Sequence, residues 1–299
     1  MKNIYTLCVV FLLSIAGSAN AQDDMLSMFD QSDKPTTDYT YATFKTSRVV
    51  YGHSVENPAK GNLLFLVQHN FGALNSGAYE LFGLDQATIR LGFEYGLNDK
   101  ISIGIGRSTY EKTVDGFVKV RILRQSKGAV NMPVTISYYG SIAINGLHWQ
   151  DPNRNNYFTS RLSFINQLLI ARKFNNDFSL QLSPTLIHKN LVPTTSDKNT
   201  AFACGIGGRY KLTQRTSFNA EYFYYPDNLS SMNTTDVFSL GFDIETGGHV
   251  FQLHISNASA MFDRAFITET TGKWTKGDIY FGFSISRAFV VKKPKGFRN

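Results

Sequence analysis

The stretch Gln86-Ala87-Thr88-Ile89-Arg90-Leu91-Gly92-Phe93-Glu94-Tyr95-Gly96 decides the fold. Ala87, Ile89, Leu91, Phe93 and Tyr95 fall on every second position, with Gln86, Thr88, Arg90, Gly92 and Glu94 between them. Successive side chains of a strand point to opposite faces, so this is a strand with one apolar face and one face that carries charge. From residue 61 onward the statement repeats, in about twelve segments of about ten residues. Ile101, Ile103 and Ile105 alternate with Ser102, Gly104 and Gly106, and Phe238, Leu240, Phe242 and Ile244 with Ser239, Gly241, Asp243 and Glu245. The closing segment sets Ile279, Phe281, Phe283, Ile285 and Phe289 against Tyr280, Gly282, Ser284, Ser286 and Ala288.

Alternation of this kind serves a soluble sandwich and a membrane barrel equally well, with the faces exchanged. Three features favour the barrel. The connections alternate in length: those at residues 97–100, 125–131, 175–177, 212–215 and 246–248 are short, while those near 72–85, 147–157, 188–198, 226–234 and 259–276 are long, with 110–115 a compact exception. Aromatic residues, Tyr95, Phe174, Phe178, Tyr210, Phe218 and Phe289, sit at the strand ends on the short-turn side, as an interfacial girdle requires. The third feature is the charge on the less apolar face: Arg90, Glu94, Lys119, Arg121, Arg209, Lys211, Glu221, Asp243 and Glu245, joined by His254. At a lipid midplane a basic side chain costs about 2–4 kcal/mol, so this face lines a lumen. The expected fold is all-β: a transmembrane, antiparallel, up-and-down β-barrel of about twelve strands, with both termini on the short-turn side.

Composition agrees. Of 299 residues only 18% are charged and 14% are aromatic, and mean hydropathy is -0.18, which excludes a largely disordered chain. No continuous apolar run beyond the first twenty residues is long enough for a spanning helix. At the N-terminus, Lys2, the apolar run Leu7–Ile15 and the small residues Ala19-Asn20-Ala21 have the layout of a secretory signal, expected to be removed near Ala21. Its loss takes one of the 30 basic residues and none of the 23 acidic ones, leaving a mildly basic chain. Basic residues cluster only at Lys292, Lys293, Lys295 and Arg298, with no interleaved aromatics to suggest nucleic acid. Cys8 falls within the signal and leaves Cys204 alone, so there is no disulfide framework.

The expected organisation is a signal over 1–21, an N-terminal periplasmic or plug segment over 22–60, a barrel over 61–290 and a basic periplasmic tail over 291–299. Within 22–60, Asp23–Phe29 fits a short helix and Gln31–Thr40 a linker. The piece Thr43–Glu56 is of mixed composition and either folds against the periplasmic mouth or enters it.

Thr43–Glu56, together with Gln167–Phe174, Gly247–Leu253 and Gly277–Phe283, resembles a family of secreted outer-membrane β-barrel proteins carried as a domain of unknown function. The resemblance covers nearly the whole mature chain. It implies an outer-membrane barrel and supplies no catalytic or binding residues.

Chemistry-bearing patterns are few. In His254-Ile255-Ser256-Asn257 a His and a Ser two apart share one face of a strand, and at this single point the chain resembles outer-membrane phospholipase A. Here, however, Leu253 and Ile255 take the apolar face, so His254 and Ser256 point to the lumen and not to lipid. His53 and Ser54 are adjacent and would face opposite ways on a strand. Asp151, Asn153 and Asn155 open like a calcium loop, but Asn156 stands where Gly is needed and Leu162 where Glu is needed. The six histidines show no metal-ligand spacing. Gly205-Ile206-Gly207-Gly208 lies within a strand, where glycines make room for bulky lumen neighbours. Trp149 and Trp274 fall in long loops and read as interface anchors.

The lumen charges nearly cancel, five positive positions against Glu94, Glu221, Asp243 and Glu245, whereas a selective pore presents a ring of one sign. A largely occluded lumen is expected, bridged by ion pairs. The expected function is non-enzymatic, without cofactor or metal: passage or binding of a small solute or lipid in the cell outer membrane. The alternative is a structural barrel that binds an envelope protein partner, and a lipid-acting hydrolase stands third.

Overall fold

The computed structural model describes residues 36–149, 151–226 and 231–292. The chain divides into Met1–Thr36 and Thr37–Asn299, and the first unit lies, apart from Thr36, outside the described residues, as do the signal, the Asp23–Phe29 helix and most of the basic tail expected from sequence.

Twelve antiparallel strands close into one barrel: β1 (Asn62–Ala73), β2 (Ala87–Gly96), β3 (Ile101–Ser108), β4 (Val114–Leu123), β5 (Thr135–Ile144), β6 (Leu162–Lys173), β7 (Phe178–Lys189), β8 (Thr200–Lys211), β9 (Thr216–Tyr224), β10 (Val237–Thr246), β11 (His249–Ser256) and β12 (Tyr280–Val290). Each strand pairs with its sequence neighbours, and β12 closes on β1 from Asn62↔Val290 to Ala73↔Tyr280, with one irregularity between Tyr280 and Gly282. Closure leaves no free sheet edge, so the strands meet one another's backbone groups around the whole ring, which is the condition for crossing hydrocarbon. Among the described residues no helix is long and apolar enough to cross a membrane.

The alternation fixes the two faces. Leu91, Phe93, Ile103, Ile105, Phe242, Ile244, Phe251 and Leu253 are exposed on the outside of the wall. Between them Arg90, Glu94, Ser102, Asp243, Gln252 and His254 are buried inside. The short turns, 97–100, 174–177, 212–215 and 247–248, lie at one end, together with a longer connection holding a two-stranded ribbon in which Ser126–Gly128 pairs with Thr37–Tyr39. The long loops lie at the other.

The inside face is not uniformly polar. Phe117, Tyr139, Ile165, Leu169, Ile187 and Phe223 also point inward and form one buried cluster with Val49, Val50, Tyr51, Met261, Phe266 and Ile267, none of which belongs to the wall. The barrel therefore encloses a hydrophobic core, built around two segments that enter it from opposite ends.

Candidate functional site: the filled lumen

From the short-turn end comes a hairpin over residues 45–57. Val49 N–H donates to the Gly52 carbonyl at 2.9 Å and Ser54 N–H to that of Ser47 at 2.9 Å, with Arg48 opposite His53, so the chain reverses at Val50-Tyr51. Both its ends stay at the turn side: Lys45 donates to the Gln214 carbonyl in the β8–β9 turn at 3.0 Å, and the Asn57 amide to that of Lys100 before β3 at 3.2 Å.

The wall holds this hairpin mainly by its backbone. Glu221 on β9 accepts the Tyr51 N–H at 2.8 Å and the Gly52 N–H at 3.1 Å. Gln252 on β11 donates to the Val49 carbonyl at 2.8 Å, and Gln181 on β7 donates to that of His53 at 2.7 Å while accepting the Val55 N–H at 3.0 Å. Lys119 on β4 reaches the Ser54 and Glu56 carbonyls at 3.2 and 2.5 Å, and Arg209 on β8 those of Ala42 and Thr43 at 2.8 and 3.1 Å. Such bonds satisfy polar groups that would be costly to leave bare in a buried place. Gly52 is required by space: a Cβ there would clash with the Glu221 carboxylate and press the Phe223 ring at 3.1 Å. Gly205 and Gly207 serve the same end, since added Cβ atoms would meet Phe223 at 2.5 Å and Val49 at 2.9 Å.

From the long-loop end comes the β11–β12 connection, residues 257–279, which contains the long connection at 259–276 that the sequence pattern predicts as an external loop. Its first half instead folds inward. Ala258, Ala260, Met261 and Phe262 are buried, and so is every residue of the short helix α1 (Asp263–Thr268). Asp263 accepts the Tyr139 hydroxyl at 2.7 Å. Towards the outer end, Arg264 pairs with Glu269 at 2.6 Å and with Glu111 of the β3–β4 loop, while Lys189 pairs with Glu269 at 2.8 Å.

The sequence-derived lumen positions divide. Arg90 pairs with Asp115, with Nη2 at 2.5 Å and Nε at 3.1 Å, and donates to Gln68 at 3.1 Å. Lys119 lies 3.3 Å from Glu94, which also accepts the Ser102 hydroxyl at 2.9 Å. Asp243 accepts from Gln252 at 2.7 Å. Arg121 lies 3.8 Å from Glu56, Lys45 pairs with Glu245, and Lys211 and Glu245 sit at the turn-side rim. Of the residues expected to form a girdle, Phe174, Phe178, Tyr210 and Phe289 are exposed and Tyr95 and Phe218 half-buried, all at turn-side strand ends. Phe174 stacks on Phe178 at 5.7 Å and Arg287 lies over Phe289 at 4.9 Å.

His254 and Ser256 face inward and are buried. His254 Nε2 meets Asn70 Oδ1 at 2.8 Å, and the Ser256 hydroxyl accepts from Ser239 at 2.8 Å and from the Ala258 N–H at 3.0 Å. Among the described residues no hydrogen bond joins the two; each is engaged with other partners, so the geometry does not form a hydrolytic relay. In the polar loop after Trp149, Asp151 accepts the Asn153 N–H at 3.0 Å, a local turn. Trp274 donates to the Phe238 carbonyl at 3.0 Å, and Trp149 lies under Arg161 at 4.0 Å.

Sequence reasoning missed Asp115, Asn70, Gln181, Gln252 and Asp263. The first four share the inward parity of their strands, so the alternation carried their signal. Asp115 stands two residues before Phe117 and four before Lys119, at the edge of the compact connection 110–115 expected from sequence, and the structure places it within β4. Asp263 had no such signal.

These features define a closed antiparallel β-barrel with an apolar outer face, its lumen occupied by its own chain. The protein belongs to the family described as a membrane bound beta barrel domain (DUF5777), which matches residues 44–289. No curated protein matches the sequence. Similar solved structures include the NanC porin, at a TM-score of 0.48 and 8% identity over 76% of this chain and 98% of that one. An outer membrane channel from Pseudomonas putida F1 gives 0.48 at 10% identity, over 78% and 97%. Outer membrane phospholipase A from Escherichia coli gives 0.41 at 11%, over 77% and 91%.

Proposed function

We propose that the protein is a non-enzymatic outer-membrane barrel, exported by a signal removed near Ala21, whose lumen passes or binds a small solute only when the hairpin over 45–57 is withdrawn. The observation that carries this reading is the seating of Tyr51 and Gly52 on Glu221, deep inside the wall, with bonds to four other strands around them. A segment fixed on so many sides by its backbone acts as a plug. The buried charges of the lumen are engaged with one another, with polar neighbours on the wall or with the plug, which leaves no ring of one sign to select ions. Hydrolysis is disfavoured because His254 and Ser256 are enclosed, where an acyl chain in the surrounding membrane does not reach them.

The test is conductance in planar bilayers. The full chain should be silent, and a chain lacking residues 42–57 should give discrete steps. Stable ion-selective steps from the full chain would overturn the closed reading.

A further inference from the structure

The hairpin and the inserted loop do not simply share the lumen; their tips touch. The Tyr51 ring at the hairpin apex lies 5.8 Å from that of Phe266 in α1, and its hydroxyl donates to the Ala258 carbonyl at 3.4 Å. Asn70, on β1, joins the two segments through one amide group: its Nδ2 donates to the Tyr51 hydroxyl at 2.7 Å, to the Ala258 carbonyl at 3.2 Å and to that of Ser259 at 3.1 Å. His254 fixes that amide from behind, at 2.8 Å from Oδ1. A second meeting point lies beside it. Asp263 of α1 is 4.0 Å from His53 of the hairpin, and Tyr139, which donates to Asp263, packs its ring 4.0 Å from that of His53.

Neither segment can therefore leave without stripping partners from the other. Without the loop, the Tyr51 hydroxyl loses the Ala258 carbonyl and its ring loses Phe266. Without the hairpin, Phe266 and Asp263 face an empty lumen. Each segment is also anchored independently at its own end of the barrel: the hairpin to the short turns, the loop through Arg264 to Glu111 of the β3–β4 loop and through Glu269 to Lys189 on β7. Two elements that touch at a common junction, each held at an opposite face, have the form of a coupled pair in which the state of one biases the other.

We infer that the hairpin and the inserted loop are a single lock, and that the barrel relays displacement of the loop at its long-loop face to the N-terminal segment at the other. The inference rests on the closed-lumen reading and adds a function to it: transmission across the membrane, which requires no solute to pass. A ligand that pulled the loop outward by competing for Arg264 would unseat Tyr51 and release residues 42–57 on the turn side.

The experiment is thiol labelling of the full chain in outer-membrane fragments open on both faces, in a Cys204→Ser background. An impermeant maleimide reports on Val50→Cys in the hairpin apex and, in a separate protein, on Met261→Cys in the loop. Arg264→Ala loosens only the outer anchor of the loop, yet it should speed labelling of Val50→Cys by a factor within about 5- to 150-fold, the usual span of coupling between sites. Tyr51→Ala should speed labelling of Met261→Cys in the same way. Heat-modifiable migration checks that each variant is a closed barrel. Should Arg264→Ala fail that check, Glu111→Gln removes one partner of the same anchor from a surface loop. Slow labelling of both sites in the parent, with Val50→Cys unmoved by the anchor substitution, would sink the relay and leave the plug intact. Fast labelling of Val50→Cys in the parent itself would overturn the closed-lumen reading instead.

Discussion

The wall of the barrel and its contents are made by different means. The wall is a continuous ladder of backbone hydrogen bonds, closed on itself, and its side chains matter mainly for which face they take. The hairpin and the inserted loop have almost no ladder. Their backbone groups are met one at a time by Glu221, Gln181, Gln252, Lys119, Arg209 and Asn70, projecting from six different strands. The wall should tolerate the loss of any one side chain that is not a buried charge. The contents depend on individual atoms.

The largest expected effect tests that exception. Arg90 is 2% exposed, and Asp115 is its carboxylate partner. Asp115→Ala leaves a buried guanidinium without its counter-charge, a change that costs about 3–5 kcal/mol. The expected outcome is a clear fall in the urea midpoint of the folded, heat-modifiable band. An unchanged midpoint would mean that water already screens this pair and that the lumen is wetter than its packing implies.

Gly52→Ala should separate contents from wall. The new methyl group clashes with Glu221 and crowds Phe223, and overpacking of this sort costs about 1–3 kcal/mol. Because the hairpin lies outside the strand ladder, the strain is relieved by expelling it. Trypsin should then cut after Arg48 while the barrel still migrates as a folded species. Loss of the folded band together with cleavage would show that hairpin and wall are one cooperative unit, and the contrast between them would fall.

That contrast also explains what the amino-acid sequence reveals. Every strand of the wall is legible because burial on one side imposes a period of two, and Arg90 and Glu94 within Gln86–Gly96 are enough to say which side is wet. The hairpin is not legible as such. Thr43–Glu56 has no period because its partners are scattered over strands far away in sequence, and the choice between mouth and lumen is made by Glu221, about 170 residues later, accepting two amides. The inserted loop is not legible as buried either, for want of a similar rule. Its composition held a clue: Ala258, Ala260, Met261, Phe262, Ala265, Phe266 and Ile267 are more apolar than a solvated loop needs, and their density argues for burial even without alternation. The candidate site was likewise half visible. Charged lumen residues stood out by sign, whereas Asn70, Gln181 and Gln252, which do much of the holding, are uncharged and look like ordinary members of a polar face.

The smallest effect concerns the outer half of the inserted loop, where contents return to wall. Asp278 accepts the Lys273 N–H at 2.9 Å and the Asn75 amide at 2.6 Å, tying the base of the β11–β12 connection to the β1–β2 loop. These donors, the Lys273 N–H first, hold the Asp278 carboxyl below its ordinary range. A carboxyl that is more acidic folded than unfolded lends stability above its unfolded pKa, near 4 by the usual reference, and loses it as pH falls through the lower folded value. Amide exchange at Lys273 should therefore stay slow at neutral pH and accelerate, relative to its intrinsic rate, only below the ordinary carboxylate range, while exchange in the strands stays unchanged. Asp278→Asn should give the acid behaviour at every pH. Because the contact is exposed and local, the hairpin at the far end of the lumen should not respond. If Lys273 and the Tyr51 amide accelerated together as the pH fell, the base of the loop would itself be part of the lock, and the boundary between wall and contents would lie further out than Arg264.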